Sequence, residues 1–301
     1  MPDPVAIPDR PSPAAGRTGK AILLACAAVL AFVIMNTLVK SLARDWPMPE
    51  IIWGRYFFHF LLVLLLVPRR IPTLLRSRRK GLQVLRSILV LLATLCMFNA
   101  VRLMPLADVI AITFTAPLIV TGLSVVMLGE KVGPRRWGAV AVGFLGMLVI
   151  VRPGAGVFEW FVLLALGQAF FYALYQILTR LTREDADPLN AVFYTALVGT
   201  LITSAALPFW WQPLTPLAWL MLAGAGAFGG LGHYALIRAF ATVEVSILAP
   251  WAYTEIIWAT LFGLVFFGDL PDLWTFAGAG IIAGSGLYIL HRERALRAGA
   301  G

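Results

Sequence analysis

Two stretches of the chain share one pattern: LGEKVGPRRWGAVAVGFLG at residues 128–146 and FGDLPDLWTFAGAGIIAGSG at residues 267–286. Each begins with an apolar residue, a glycine and an acid, and each continues into a glycine-rich apolar run. The Gly-acid pairs lie 139 residues apart, and the glycine pairs Gly138 with Gly278 and Gly146 with Gly286 lie 140 apart. The sequence therefore predicts an internal duplication of about that length.

The amino-acid composition indicates that both copies lie in a lipid bilayer. The 301 residues are 60% hydrophobic and 13% charged, with a mean hydropathy of +0.86, whereas globular domains carry about 25% charged residues. Ten apolar runs have roughly the length that spans a bilayer, at residues 21–40, 51–67, 82–103, 107–128, 137–151, 158–178, 191–207, 217–237, 245–267 and 274–290. The predicted fold class is therefore an all-α polytopic membrane protein with ten transmembrane helices.

The duplication divides these helices into two sets of five. We expect a disordered cytoplasmic tail at residues 1–19, a first five-helix repeat at 20–152, a second at 153–292 and a cytoplasmic tail at 293–301. Because five is an odd number, the second set enters the membrane from the opposite face, which makes the repeats inverted.

Basic residues mark one face of the predicted bundle. With the N-terminus inside, 18 of the 24 Lys and Arg residues fall in the inner segments and three fall in the outer ones. Cytoplasmic loops carry such an excess, so both termini are expected in the cytoplasm. Contact of this face with anionic headgroups explains the net charge of +9, and we expect no nucleic acid as a partner.

The motifs of several enzyme classes are missing from the sequence. It contains no Walker-type phosphate loop, no paired His or Cys ligands and no nucleophile elbow. Cys26 and Cys96 lie in separate apolar runs, which favours packing over a disulfide or a metal site. We therefore expect no enzyme activity, cofactor or metal, and any transport would be secondary rather than driven by ATP. The glycines clustered at 224–232 and 278–286 permit either close helix packing or helix sliding.

The approach to the first Gly-acid pair resembles the EamA type of the drug/metabolite transporter superfamily. In that family a proline is followed by a dozen apolar residues, Gly-Glu and a glycine-rich helix, and here Pro117 leads to Gly129-Glu130. The second copy departs from this pattern, because Ile256 replaces the proline and Asp269 the glutamate. The resemblance covers nearly all of residues 20–292 and implies a transporter of a small molecule in the bacterial inner membrane.

Glu255 is a candidate for solute contact at the membrane midplane. It lies ten residues into the ninth run, about 15 Å deep at 1.5 Å per residue, where a charged side chain costs free energy. Trp251, Glu255 and Trp258 share one face of a continuous helix. An acid among aromatic rings can hold a cationic or zwitterionic solute or take up a proton, which makes the proton a candidate coupling ion. The alternatives are a hydrogen bond from Glu255 to a neighbouring helix and a packing role for the two tryptophans.

The sixth run carries a second polar face. Gln168, Tyr172 and Tyr175 recur at spacings of four and three residues. Their polar groups would lack partners in lipid, so they are expected to face protein or a cavity. Lining of a cavity and hydrogen bonding between helices explain this face equally well.

Arg55 and His59 form a candidate anion or carboxylate site in the second run. They are four residues apart and therefore lie on one helical face, and EamA-type proteins tend to have an arginine at this place. As an alternative, Arg55 lies only about one turn into the helix and could extend to the membrane interface. Asn36, near the end of the first run, completes the predicted substrate-binding residues.

The sequence favours an exporter of an amino-acid-derived compound, such as an opine-type metallophore. One alternative is an importer of riboflavin, S-adenosylmethionine or a similar vitamin or cofactor, because aromatic residues can stack on a flat ring. Another is a membrane scaffold without transport, in which the polar faces pair with one another.

Overall fold

The computed structural model describes residues 15–75, 79–129, 132–152, 160–181, 188–243 and 245–298. Within these ranges every regular element is helical. Residues 1–14 of the expected N-terminal tail lie outside them, and the first helix already begins at Ala15. The last helix continues to Ala298, into the segment expected as the C-terminal tail.

The described part of the chain contains ten helical spans, as predicted, built from a larger number of separate helices. Eight stretches are long and apolar enough to cross a bilayer, and the shorter apolar helices at Trp137–Val151 and Leu273–Ile289 correspond to the fifth and tenth runs. The helices are α1 (Ala15–Leu42), α2 (Met48–Leu66), α3 (Ile71–Leu74), α4 (Lys80–Leu103), α5 (Leu106–Thr113), α6 (Ala116–Leu128), α7 (Pro134–Val151), α8 (Val162–Leu181), α9 (Pro188–Ala206), α10 (Pro216–Thr242), α11 (Val245–Ala252), α12 (Thr254–Phe262) and α13 (Leu273–Ala298).

Contacts between the two halves occur in equivalent pairs. Helix α1 packs on α10 as α8 packs on α4, and α2 packs on α10 as α9 packs on α4. Helix α6 packs on α8 as α12 packs on α1, whereas α7 packs directly on its own counterpart, α13. Exchange of the halves therefore maps the main contacts onto one another, as expected for inverted repeats.

The left-handed glycines end equivalent helices in both repeats. Gly129 follows α6 with φ of 67°, and Gly268 follows the π turn Gly263–Phe267, which extends α12, with φ of 73°. A glycine tolerates this conformation because it has no Cβ. Gly129 and Gly268 thus end equivalent helices in the two halves.

The fourth and ninth spans are both broken at one position of the repeat. Helix α5 ends at Thr113 and α6 begins at Ala116, whereas α11 ends at Ala252 and α12 begins at Thr254. The 139-residue offset relates Phe114 to Tyr253, and both residues lie in the breaks.

A threonine hydroxyl bonds across each break, and a proline lies close to each. Thr115 donates its hydroxyl to the carbonyl of Ile112 at 2.8 Å, and the equivalent Thr254 donates to the carbonyl of Trp251 at 2.6 Å. Such bonds compete with the regular helical ones. Pro117 in α6 and Pro250 in α11 lack the amide hydrogen that a continuous helix needs at their positions.

The apolar core is unevenly distributed along the bundle. The largest cluster joins the end of α1, the start of α2, the end of α4, α5 and the start of α10, around the α1–α2 connection at residues 43–47. We call this the closed end. At the opposite end, which contains the start of α1 and the end of α10, the described buried apolar residues form four separate small clusters. We call this the divided end, because the clusters do not join into one core.

Candidate functional site

Polar contacts hold the closed end together. Lys40 donates to a carboxylate oxygen of Asp269 and to the carbonyl of Met104, each at 2.8 Å, and so connects α1 with the turn after α12 and with the end of α4. The carboxylate of Glu50 accepts a hydrogen bond from the backbone N–H of Gln212, which connects α2 with the segment before α10. Several helices are therefore joined at this end by more than apolar packing.

Asp272 connects α7 with α13 at the same end. Its Oδ1 accepts the backbone N–H of Thr275 at 2.8 Å, and its Oδ2 pairs with the guanidinium of Arg152. Burial opposes ionisation of this carboxyl, but the hydrogen bonds from Thr275 and the charge of Arg152 outweigh it and hold the pKa of Asp272 below its usual value. The residue is thus ionised and contributes to both contacts at neutral pH.

Glu255 lies in the first turn of α12, directly after the break in the ninth span. This location brings the carboxylate close to the backbone N–H groups at the start of a helix, which favours negative charge. The side chain is half-buried. Among the contacts that the described residues form, no hydrogen bond or ion pair joins Glu255 to a neighbouring helix. These contacts therefore do not support the alternative role of Glu255, a hydrogen bond between helices.

A row of side chains extends from Glu255 toward the divided end. Tyr172 of α8 lies within Coulombic range of Glu255. Its ring stacks on Tyr175, with the centroids 5.6 Å apart and the planes at 27°. The guanidinium of Arg86, on α4, lies 5.7 Å from the Tyr175 ring centroid, a cation–π geometry. We call these four residues the central row; an acid lies at one end, a guanidinium at the other and two stacked rings between them.

Arg86 was not among the residues that the sequence suggested. It lies one to two turns from the polybasic segment between α2 and α4, where an arginine ordinarily reaches lipid headgroups. In the fold its side chain is buried, and it donates to Gln83 Oε1 at 2.6 Å. Gln83 three residues earlier was the only local signal, because the contact with Tyr175 is tertiary.

The other candidates of the central region are arranged less uniformly than predicted. Gln168 lies on α8 with Tyr172, and its buried Oε1 has no hydrogen-bond partner among the described residues. Trp258 packs against the main core. Trp251 belongs to α11, before the break, and is 39% exposed, so Trp251 and Glu255 do not lie on one continuous helix as predicted. Between the two residues, the hydroxyl of Thr254 bonds to the carbonyl of Trp251 at the interruption of the helix.

Arg55 and His59 lie on the α10 side of α2 and are both buried, with 2% and 0% of their surface exposed. Arg55 therefore does not extend to the interface, which was the alternative. His59 stacks on His233 of α10, with centroids 6.1 Å apart and planes at 7°. The Arg55 guanidinium lies 4.3 Å from the ring centroid of Tyr56. Asn36 of α1 is also buried, and its Oδ1 has no partner among the residues that the structure describes.

Glycines of α10 permit the close approach of α2. A Cβ on Gly226 would come within 2.8 Å of the backbone nitrogen of His59, and one on Gly230 within 2.8 Å of the His59 ring. On Gly229 it would lie 2.9 Å from Met35 Sδ of α1. Tight packing thus accounts for these glycines, one of the two roles that the sequence left open.

Comparison with known proteins agrees with this architecture. The EamA-like transporter family matches the chain at residues 19–152 and 159–290. A riboflavin transporter of Vibrio cholerae serotype O1 is 30% identical over 88% of this chain and 90% of its own length. The pseudopaline exporter CntI of Pseudomonas aeruginosa is 30% identical over 87% and 92%.

Two further similarities are more distant. An S-adenosylmethionine uptake transporter of Rickettsia bellii is 26% identical over 81% of this chain and 84% of its own length. One solved crystal structure superposes with a TM-score of 0.65 at 18% identity, over 92% of this chain and 99% of the other. At that identity the structural similarity supports the fold alone.

Proposed function

Because the chain belongs to the EamA-like transporter family, we propose that it is a secondary transporter that exports a small amino-acid-derived compound, such as an opine-type metallophore, across a bacterial inner membrane. The protein is a multi-pass membrane protein, and its relatives are named as transporters of small molecules. Those names include both uptake and export, so the proposal on substrate and direction rests on the site.

The central row carries this proposal. An amino-acid-derived solute has a cationic amino group, a carboxylate and a carbon frame between them. Glu255 would bind the amino group, the stacked rings of Tyr172 and Tyr175 would contact the frame, and Arg86 would bind the carboxylate. Charge-assisted contacts of this kind are stronger than neutral hydrogen bonds. The remaining proposed substrate-binding residues are Gln168, Trp251, Trp258, Asn36, Arg55 and His59.

The uneven distribution of the apolar core suggests the side from which a solute reaches the central row. We propose that the divided end faces the cytoplasm, in agreement with the excess of basic residues in the segments on that side, and that the solute enters from there. The moving units would be the two repeats, residues 20–152 and 153–292, whose rocking closes the divided end and opens the closed end. Proton uptake by Glu255 between export cycles would couple this movement to the proton gradient.

A vitamin or cofactor is the second candidate substrate. Tyr172 and Tyr175 present stacked rings, and flat heterocycles bind to such surfaces. One relative at 30% identity is named as a riboflavin transporter. S-adenosylmethionine has an amino group, a carboxylate and a flat ring, so it also matches the chemistry of the row.

The deciding experiment is untargeted mass spectrometry of cells and medium from wild-type and deletion strains, grown with scarce metal and with scarce vitamins. Export predicts a compound that is retained by the deletion strain and depleted from its medium. Complementation with Glu255→Gln or Arg86→Met should leave the compound inside, whereas Arg102→Met, a change of an exposed arginine at the end of α4, should restore export. A compound left in the medium by the deletion strain would instead establish import.

A further inference from the structure

The cluster of Arg55, His59 and His233 contains more hydrogen-bonding capacity than the protein satisfies. Nε and Nη1 of Arg55 and both ring nitrogens of His59 are buried without a hydrogen-bond partner among the described residues. Buried polar atoms in folded proteins are nearly always paired. Four unpaired polar atoms on these two side chains indicate that a ligand or ordered solvent occupies the cluster.

The charge of the cluster points to the kind of ligand. Arg55 acts electrostatically on both His59 and His233, so the three groups lie within Coulombic range of one another. Within the described ranges no carboxylate forms an ion pair with Arg55; the pairs found there join Lys40 with Asp269 and Arg152 with Asp272. A buried guanidinium without a counter-charge favours binding of an anion.

The packing around the cluster limits the size of that anion. Helix α10 approaches so closely that a Cβ on Gly229 would lie 3.5 Å from Arg55 Nε. Phe32 packs edge to face on His233, with centroids 5.0 Å apart, and Tyr56 lies beside Arg55. Close packing on these sides of the guanidinium favours a small anion over a bulky one.

We propose that Arg55, with His59 and His233, binds a compact anion: a carboxylate group or a chloride ion. If the anion is a carboxylate of the transported solute other than the one assigned to Arg86, the inference rests on the proposed function. If it is a free ion, the site exists independently of what the protein transports. Arg55 supplies the positive charge and two parallel N–H donors, and the histidines supply further N–H groups from α2 and α10.

The test uses the purified full-length protein in detergent and the midpoint of its thermal unfolding, followed by tryptophan fluorescence. Sodium isethionate, whose anion is bulky, is replaced at constant ionic strength by 100 mM sodium acetate or sodium chloride. Because a ligand stabilises the folded state that binds it, acetate should raise the wild-type midpoint by about 3 °C. Arg55→Met should abolish the rise, and Arg102→Met should retain it.

The responses to acetate and to chloride distinguish a carboxylate ligand from a free ion. A rise with acetate alone supports a carboxylate, and equal rises with acetate and chloride support a free ion. A wild-type protein that responds to neither anion, or an Arg55→Met protein that still responds, would overturn the proposal. His233→Gln keeps a polar side chain at its position and should weaken the rise, which gives a second reading if Arg55→Met does not fold.

A cellular experiment separates this proposal from the proposed function. If the anion belongs to the solute, the compound retained by the deletion strain contains a carboxylate, and the strain complemented with Arg55→Met retains it as well. A retained compound without a carboxylate would overturn the assignment to the solute. If no compound differs between wild-type and deletion strains, the transport proposal fails, whereas the response to acetate or chloride still decides the anion site.

Discussion

Phe114 and Tyr253 occupy the same position in the two repeats, and their rings touch edge to face, with centroids 5.0 Å apart and planes at 81°. Each lies in the break of its span. Contact between residues that the duplication relates indicates that both breaks lie beside the axis that exchanges the halves. The hydroxyl of Tyr253 also packs against α13 at Gly286, where no space remains for a Cβ.

Gly286→Ala should therefore destabilise the protein. The added methyl group displaces Tyr253, and overpacking of this kind costs about 1–3 kcal/mol in the free energy of unfolding. Gly280→Ala on the same helix is the matched control, because a Cβ at Gly280 has nothing within 4 Å. Equal thermal-unfolding midpoints of the two variants in detergent would show that Tyr253 does not pack as described.

Glu255→Gln, which we expect to lose export in cells, should also lose the stimulation of solute movement by a proton gradient. Glutamine keeps the shape of the side chain, but its amide does not bind or release a proton near neutral pH. The measurement is solute movement in inverted membrane vesicles with and without an imposed pH gradient. Glu50→Gln, which changes a buried acid at the closed end, should leave the dependence intact. A gradient response that persists in Glu255→Gln would exclude Glu255 as the proton carrier.

Lys40→Met should increase the fraction of the protein in which the closed end is open. The ion pair with Asp269 is partly exposed, with 12% and 32% of the two side chains accessible, and such a pair contributes about 0–1 kcal/mol. The readout is labelling of Ile110→Cys, a buried core position, by an impermeant maleimide applied from outside to a protein in which Cys26 and Cys96 are replaced. We expect an increase of up to about fivefold.

Two further variants test this interpretation of Lys40. Arg102→Met, at an exposed position of the same end, should leave the labelling rate of Ile110→Cys unchanged. The double charge reversal of Lys40 and Asp269 should bring the rate back toward that of the wild type. Labelling that is the same with and without Lys40 would mean that apolar packing alone holds this end.

Asp272→Asn should destabilise the protein at neutral pH but not in strong acid. The folded state lowers the pKa of Asp272, so its contribution to stability is present above the pKa of the unfolded chain, about 3.9. That contribution is lost as the pH falls through the lower folded value. Thermal midpoints of wild type and variant should differ at pH 7 and converge below about pH 4; a constant difference would contradict the ionised pair with Arg152.

Most of the fold could be predicted because the bilayer sets the length of each apolar run and the duplication sets their grouping. The repeated glycines were a reliable signal, since Gly129 and Gly268 both adopt the left-handed conformation that ends a helix. The break between Trp251 and Glu255 was missed, because hydropathy continues unchanged through it. Only Pro250, and the hydroxyl of Thr254 bonded three residues back, distinguish that segment from a regular helix.

The candidate site could be predicted only in part. Glu255 and the tyrosines of α8 were found because polar groups inside apolar runs are conspicuous. Arg86 was missed because its charge lies near a polybasic segment, and only the fold brings it to Tyr175. The stacking of His233 on His59 depends on the approach of α10 to α2, which no local pattern encodes.

The paired contacts between the halves have a geometric consequence. Helix α1 packs on α10 as α8 packs on α4, yet among the described residues the continuous core lies at one end of the bundle. The two repeats therefore share a topology while differing in shape. Giving each repeat the backbone shape of the other generates the opposite-facing conformation from this single one, and distances between spin labels at the two ends would measure the interconversion directly.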